Sequence, residues 1–261
     1  MQVLVDGAIP VHVEVTGSGP ALLLLSSAAS TEWWAEQVGP WSEHFTVVNW
    51  DYRRPSGYAA PPVPCDSVAM ASHAVQLLDH LGFAVAHVNG VSGGARAACF
   101  LASRWGDRLD RLVLTTPSPP VVGKAVEALI ADPDSPRIFT DPSYAQTLRP
   151  EELADEMARL VFSESFYAAH PERCLRLLAQ PPGTAVRSPQ PDEPDVEGDL
   201  VKAPTLVVVG EADRTALPQY GYDMHDAIAG SELVAIPGGT HGMLVEDTTR
   251  YGRLVASFLS A

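Results

Sequence analysis

The stretch Gly90-Val91-Ser92-Gly93-Gly94 sets a serine among glycines at the end of the apolar run "AHVNG". A serine hydroxyl is a weak nucleophile until a base takes its proton and a third group orients that base. The pattern G-x-S-x-G suits a sharp strand-to-helix turn that exposes the hydroxyl, and it equally suits a bland turn of small residues. The decision rests on whether the chain supplies partners. His241, in "IPGGTHGML", follows an apolar run at 232 to 236 and a Gly238-Gly239 turn, a context that the other seven histidines lack. Asp213, in "VVVGEADRTALP", ends a second apolar run between serine and histidine in the chain. Glu211 competes with it, and the strand-end position favours Asp213. The bland alternatives are a turn serine, a surface histidine and a helix-capping aspartate.

These residues need elements that bring them to one edge. The pattern predicts a hairpin from "VLV" and "VHVEV" around Asp6-Gly7, then a buried strand "ALLLL" at 21 to 25. Helices are expected over 31 to 43, 66 to 81 and 93 to 105, and strands over 45 to 50, 84 to 90 and 112 to 117. Alternating strands and helices imply a mainly parallel sheet with helices on both faces. Between 118 and 200 the rhythm breaks into helical pieces, among them "PEELADEMARLVFSESF", closed by a Pro-rich loop at 180 to 199. Strands resume with "APTLVVVGEAD" and "ELVAIPG", followed by a terminal helix from about 241. The expected organisation is an α/β core of 1–117 and 201–261 carrying a helical cap at 118–200.

Composition narrows the partners. With 32 acidic against 17 basic residues the formal net charge is −15, a field that repels phosphate backbones and argues against nucleic acid. Hydrophobic residues make up 46% of 261, enough for a sizeable core. The apolar runs are strand-sized and too short to cross a bilayer, and the amino-terminal segment alternates as a strand does rather than as a leader does. Cys65, Cys99 and Cys174 are far apart, odd in number and without metal spacing, which fits a reducing cytoplasm and no bound metal. The expected partner is a small-molecule substrate, with a homodimer admissible.

Taken together, the chain resembles the compact, capped members of the α/β-hydrolase fold family over nearly its whole length. The likeness is carried by Gly90 to Gly94, "GEADRTALP" around Asp213, "GGTHGML" around His241, and the "PALLLL" strand with its following loop. The order serine, acid, histidine is that of this fold and differs from those of trypsin and subtilisin. The resemblance implies an oxyanion hole of two backbone N–H groups, carried over to Gly93 and, in "SSAAS", to Ala28 with Ser27 beside it. Two stretches depart from the family. Ser26-Ser27 stands where His-Gly is usual, a polar pair similar to that of the enol-lactone hydrolase branch. "DYRRPSGY" keeps Asp51 and Arg53 but loses the glycine pattern of the usual Asp-x-Arg-Gly segment.

The expected activity is cofactor-free hydrolysis of a small apolar ester or lactone by Ser92, His241 and Asp213. Pocket candidates are Ser27, Trp34, Phe162 and Met243, each set against plain core packing; Phe162, Phe166 and Tyr167 are expected at one helical spacing. Two other functions remain open on this scaffold. One is a lyase, cyclase, transferase or cofactor-free oxygenase in which the same groups work as acid and base; the other is a ligand-binding receptor.

Overall fold

Leu23 and Leu25 face one side of the central sheet while Leu22 and Leu24 face the other, and all four are fully buried. Successive strand side chains alternate, so a run without polar residues demands cover on both faces. The computed structural model describes residues 1–7, 9–26, 31–51, 66–179 and 193–261.

The elements run β1 (Gln2–Val5), β2 (Ile9–Thr16), β3 (Ala21–Ser26), α1 (Ala35–Ser42), β4 (Thr46–Asp51), α2 (Ser67–Leu81), β5 (Ala86–Val91), α3 (Gly93–Arg104) and β6 (Leu109–Thr115). Six helices follow: α4 (Val122–Ala131), α5 (Arg137–Thr140), α6 (Pro142–Thr147), α7 (Pro150–Val161), α8 (Glu164–Ala169) and α9 (Pro171–Leu178). The chain then returns through β7 (Thr205–Gly210), α10 (Pro218–Ala227), β8 (Glu232–Ile236), α11 (Met243–Glu246) and α12 (Thr248–Leu259).

The strands form one sheet in the order β1-β2-β4-β3-β5-β6-β7-β8. The first two pairings are antiparallel and the rest parallel, so the carboxyl ends of β4, β3, β5, β6, β7 and β8 share an edge. This is the α/β-hydrolase fold, as the strand–helix rhythm predicts.

Each sheet face has its own apolar cluster. One packs Val88, Leu112 and Val207 under α2 and α3. The other packs Val91, Val113 and Val208 against Trp34, Trp41, α11 and α12, and also against Ala158, Val161, Phe162, Cys174 and Leu177 from the helices inserted between β6 and β7. The inserted helices therefore complete a face of the sheet. Their two ends meet where Val196 N–H donates to Pro120 O at 2.9 Å.

Three elements differ from their expected form. The helix expected over 31 to 43 opens as a 3-10 turn at Thr31–Trp34 before α1. The expected piece 150 to 166 breaks at Phe162-Ser163 into α7 and α8, because the Ser163 hydroxyl accepts from Phe166 N–H at 3.2 Å and starts a new helix. The terminal helix breaks at Asp247, whose carboxylate accepts from Arg250 N–H at 3.2 Å.

Candidate active site

Ser92 leaves β5 with φ 57° and ψ −125°, a left-handed conformation that costs a non-glycine residue about 1 kcal/mol or more. The turn is held by backbone bonds. Ser92 N–H donates to Thr115 O at 3.0 Å, and Ser92 O accepts from Ala95 and Ser118 N–H at 3.0 and 3.2 Å. Gly90 and Gly94 are required by proximity. A Cβ on Gly90 would stand 2.5 Å from Gly94 O, and one on Gly94 would stand 2.3 Å from Leu25 O. Strand, turn and helix can close this tightly only without those side chains.

Beneath the turn, the Tyr251 hydroxyl meets Asn89 Nδ2 at 3.0 Å and Thr115 Oγ1 at 2.8 Å, all three buried. Burial pushes the Tyr251 phenol up to about 12, so it stays neutral and ties the ends of β5 and β6 to α12.

Asp213 follows β7 and His241 follows β8. Their loops are joined by backbone bonds, Glu211 N–H to Ile236 O at 3.1 Å and Ala212 N–H to Gly239 O at 2.8 Å. Nδ1 of His241 lies 2.8 Å from Asp213 Oδ2, with both side chains buried. Asp213 Oδ1 accepts from Thr215 and Ala216 N–H at 2.7 and 2.9 Å. The competing Glu211 is exposed. Ser92, Asp213 and His241 thus lie at carboxyl ends of parallel strands, on the edge where open α/β sheets bind ligands. Among the described residues the Ser92 hydroxyl makes no hydrogen bond, and His241 makes its one through Nδ1. The structure brings the serine to this edge and bonds only the other two.

Gly93 opens α3, where first-turn N–H groups lack intrahelical partners. Ala28, Ser27 and Arg53 lie outside the described residues. Trp34, Phe162 and Met243 are buried in the cluster that holds Val91, next to Ser92. Trp34 packs on Trp41 with ring centroids 6.1 Å apart, and Phe162 stacks on Trp33 at 5.9 Å. Phe162 lies just beyond α7, as its carboxyl-terminal cap, while Phe166 and Tyr167 belong to α8, so the three do not share one helix.

Cys99 and Cys174 are free and buried, their thiols pushed up by burial to about 12 and about 11. Among the described residues no group of His, Cys, Asp and Glu is arranged to hold a metal ion, and no helix is long and apolar enough to cross a membrane.

Several residues at this edge escaped sequence reasoning. Thr116 has φ 39° and a buried hydroxyl without a partner. Arg96, buried on α3, donates to the carbonyls of Pro119, Pro120 and Pro194 and pairs with Glu193 at 3.3 Å. Glu246 bonds Ser163 and Thr240. An arginine in an alanine-rich helix was the one visible signal among them.

No family model matches the sequence. A stretch of 101 residues is 38% identical to the putative carbamate hydrolase RutD of Caulobacter segnis, spanning 37% of this chain and 38% of that protein. The serine hydrolase BPHL of Mus musculus is 27% identical, with 99% of this chain and 85% of that protein covered. The crystal structure of an enol-lactonase from Burkholderia xenovorans LB400 superposes with a TM-score of 0.80 over the whole of both chains, at 24% identity, a likeness of fold.

Proposed function

For a chain with the α/β-hydrolase fold, we propose a serine hydrolase that cleaves a small apolar organic ester or lactone. The observation that carries this proposal is the 2.8 Å bond between buried His241 and Asp213, on the strand edge where Ser92 sits in its strained turn. His241 Nε2 takes the hydroxyl proton as Ser92 Oγ bonds to the substrate carbonyl carbon, and the carbonyl π electrons move onto oxygen. The Gly93 N–H holds that oxyanion, with Ala28 as the second donor that the family resemblance implies, and Asp213 stabilises the imidazolium. Collapse expels the alcohol oxygen, which takes the proton from His241. Water, deprotonated by His241, then attacks the acyl-enzyme and releases acid and Ser92. No cofactor enters this scheme.

The apolar character of the substrate is inferred from Trp33, Phe162 and Met243 in the cluster beside Val91, with segment 118–200 acting as the cap. The names of the sequence relatives, a serine hydrolase and a putative carbamate hydrolase, support cleavage at a carbonyl. Unpaired, buried Cys99 and Cys174 support a cytoplasmic setting.

A second reading, non-hydrolytic acid–base chemistry at the same residues, is favoured by the missing Ser92–His241 bond. Such bonds are often loose in unliganded enzymes, so hydrolysis stands first. Intact-mass spectrometry after a fluorophosphonate probe tests the choice. One adduct on the wild type, lost in Ser92→Ala, followed by turnover in an ester and lactone panel, is expected. No adduct on folded wild type would overturn the covalent mechanism.

A further inference from the structure

One carboxylate joins the inserted helices to the loop that carries His241. Glu246, the last residue of α11, accepts from Ser163 N–H at 2.9 Å and from the Ser163 hydroxyl at 2.5 Å. It also accepts from the Thr240 hydroxyl at 2.5 Å, and Thr240 is buried directly before His241. Three donors from two segments, 83 and 6 residues away, converge on two oxygens. Charge-assisted bonds of this kind are the stronger class.

The same junction is sealed on the other side of His241. Gly242 N–H donates to Val161 O at 2.8 Å. The Phe162 ring lies so close to Gly242 that a Cβ there would stand 2.4 Å from it. Val161, Phe162 and Ser163 form the break between α7 and α8, and the residues on both sides of His241 are fastened to that break. The break in the helix therefore has a purpose that helix propensity does not account for: it turns the Ser163 N–H and hydroxyl toward Glu246.

We infer that Glu246 is a positioning residue, which sets His241 through Thr240 and does so only when the α7–α8 turn is seated against it. Placement of the inserted helices and placement of the catalytic base are then one event. The inference rests on the proposed role of His241. It extends that role to regulation of the base by the segment above it.

The test uses kcat and KM on an ester turned over by the wild type, per site counted by fluorophosphonate titration. Glu246→Ala frees Thr240 and Ser163 together and is expected to lower kcat per site by about tenfold to a hundredfold, with a much smaller change in KM. Ser163→Ala, which touches only the inserted side, is expected to lower kcat in the same sense by a smaller factor. Adding it to Glu246→Ala is expected to cost nothing more, since both break one linkage. Glu246→Gln keeps an acceptor and is expected to recover part of kcat. Should Glu246→Ala fold poorly, Ser163→Ala and Glu246→Gln carry the same comparison. Unchanged kcat per site in these variants, with only thermal stability reduced, overturns the inference and leaves the hydrolase proposal standing. A wild type with neither adduct nor turnover overturns both.

Discussion

Nδ1 of His241 stands 2.8 Å from Oδ2 of Asp213, while the other oxygen of that carboxylate is already engaged by the N–H groups of Thr215 and Ala216. The acid is fixed by backbone and has one free lone-pair direction for the base. In Asp213→Asn the amide oxygen can still accept from the two N–H groups, so the fold should survive. The amide nitrogen would then face Nδ1 and force the imidazole proton to Nε2, where it cannot receive the serine proton. A fall in kcat of about 10³ to 10⁴ is expected, with a melting temperature near that of the wild type. Steady-state kinetics on any accepted ester checks this; a loss under tenfold would remove Asp213 from its role.

Gly94 presses against Leu25, the residue before Ser26 at the end of β3. Gly94→Ala would place a methyl carbon 2.3 Å from a backbone carbonyl oxygen, which no rotamer change relieves. Either α3 or the end of β3 must move. Destabilisation of about 1–3 kcal/mol is expected, with slower phosphonylation because Ser92 and Gly93 begin that helix. Urea unfolding and probe kinetics measure the two effects. A variant that matches the wild type in both would show that the helix has room to shift.

Which parts of this were visible in the residues follows from how local each signal is. Ser92, Asp213 and His241 each sit at a strand end marked by apolar runs and small residues, so those strand-end positions were legible locally. The hairpin at Asp6-Gly7 was equally local: both adopt positive φ, 49° and 68°, as turn residues do. The break at Phe162-Ser163 was hidden because the 150 to 166 pattern stays amphipathic across it; a single capping serine starts the new helix, and the Glu246 carboxylate that holds Ser163 is more than eighty residues away in the chain. Asn89 is a buried polar residue in a strand with apolar neighbours. Its reason is Tyr251, brought to it by α12. Periodicity reports which face is buried and is silent about a single polar pair formed across the sheet.

His87, on β5, is buried against the edge of the Phe45 ring, and Asp110 lies 3.5 Å away. Burial holds its pKa below the ordinary 6.5, with Asp110 acting in the opposite direction. The unfolded chain therefore takes up this proton at a higher pH than the folded protein does. Its contribution to stability is complete above 6.5 and is lost as the pH falls from there toward the folded-state value. Urea unfolding across that range is expected to show a stability loss on acidification that is smaller in His87→Leu. Parallel curves for the two proteins would exclude His87 as a source.

Arg96 is the most deeply buried cation of the described residues, 2% exposed, and its partners are the two ends of the inserted segment. Pro119 and Pro120 lie at the entry and Glu193 and Pro194 at the exit, while α3, which carries the arginine, begins at the serine turn. The guanidinium also lies over the Phe100 ring at 5.4 Å. Removing one partner of a buried ion pair leaves the other charge unpaired, at a cost of about 3–5 kcal/mol; Glu193, 15% exposed, keeps some water and argues for the lower end. Arg96→Met is therefore expected to lose about 3 kcal/mol in urea unfolding. Arg96→Met combined with Glu193→Leu should lose less than Arg96→Met alone, because no charge is then stranded. Were the double variant the less stable, the carbonyl bonds rather than the ion pair would hold the segment in place. Either way, phosphonylation should slow in Arg96→Met, since Ser118 N–H, which bonds Ser92 O at 3.2 Å, stands next to the carbonyls that Arg96 binds.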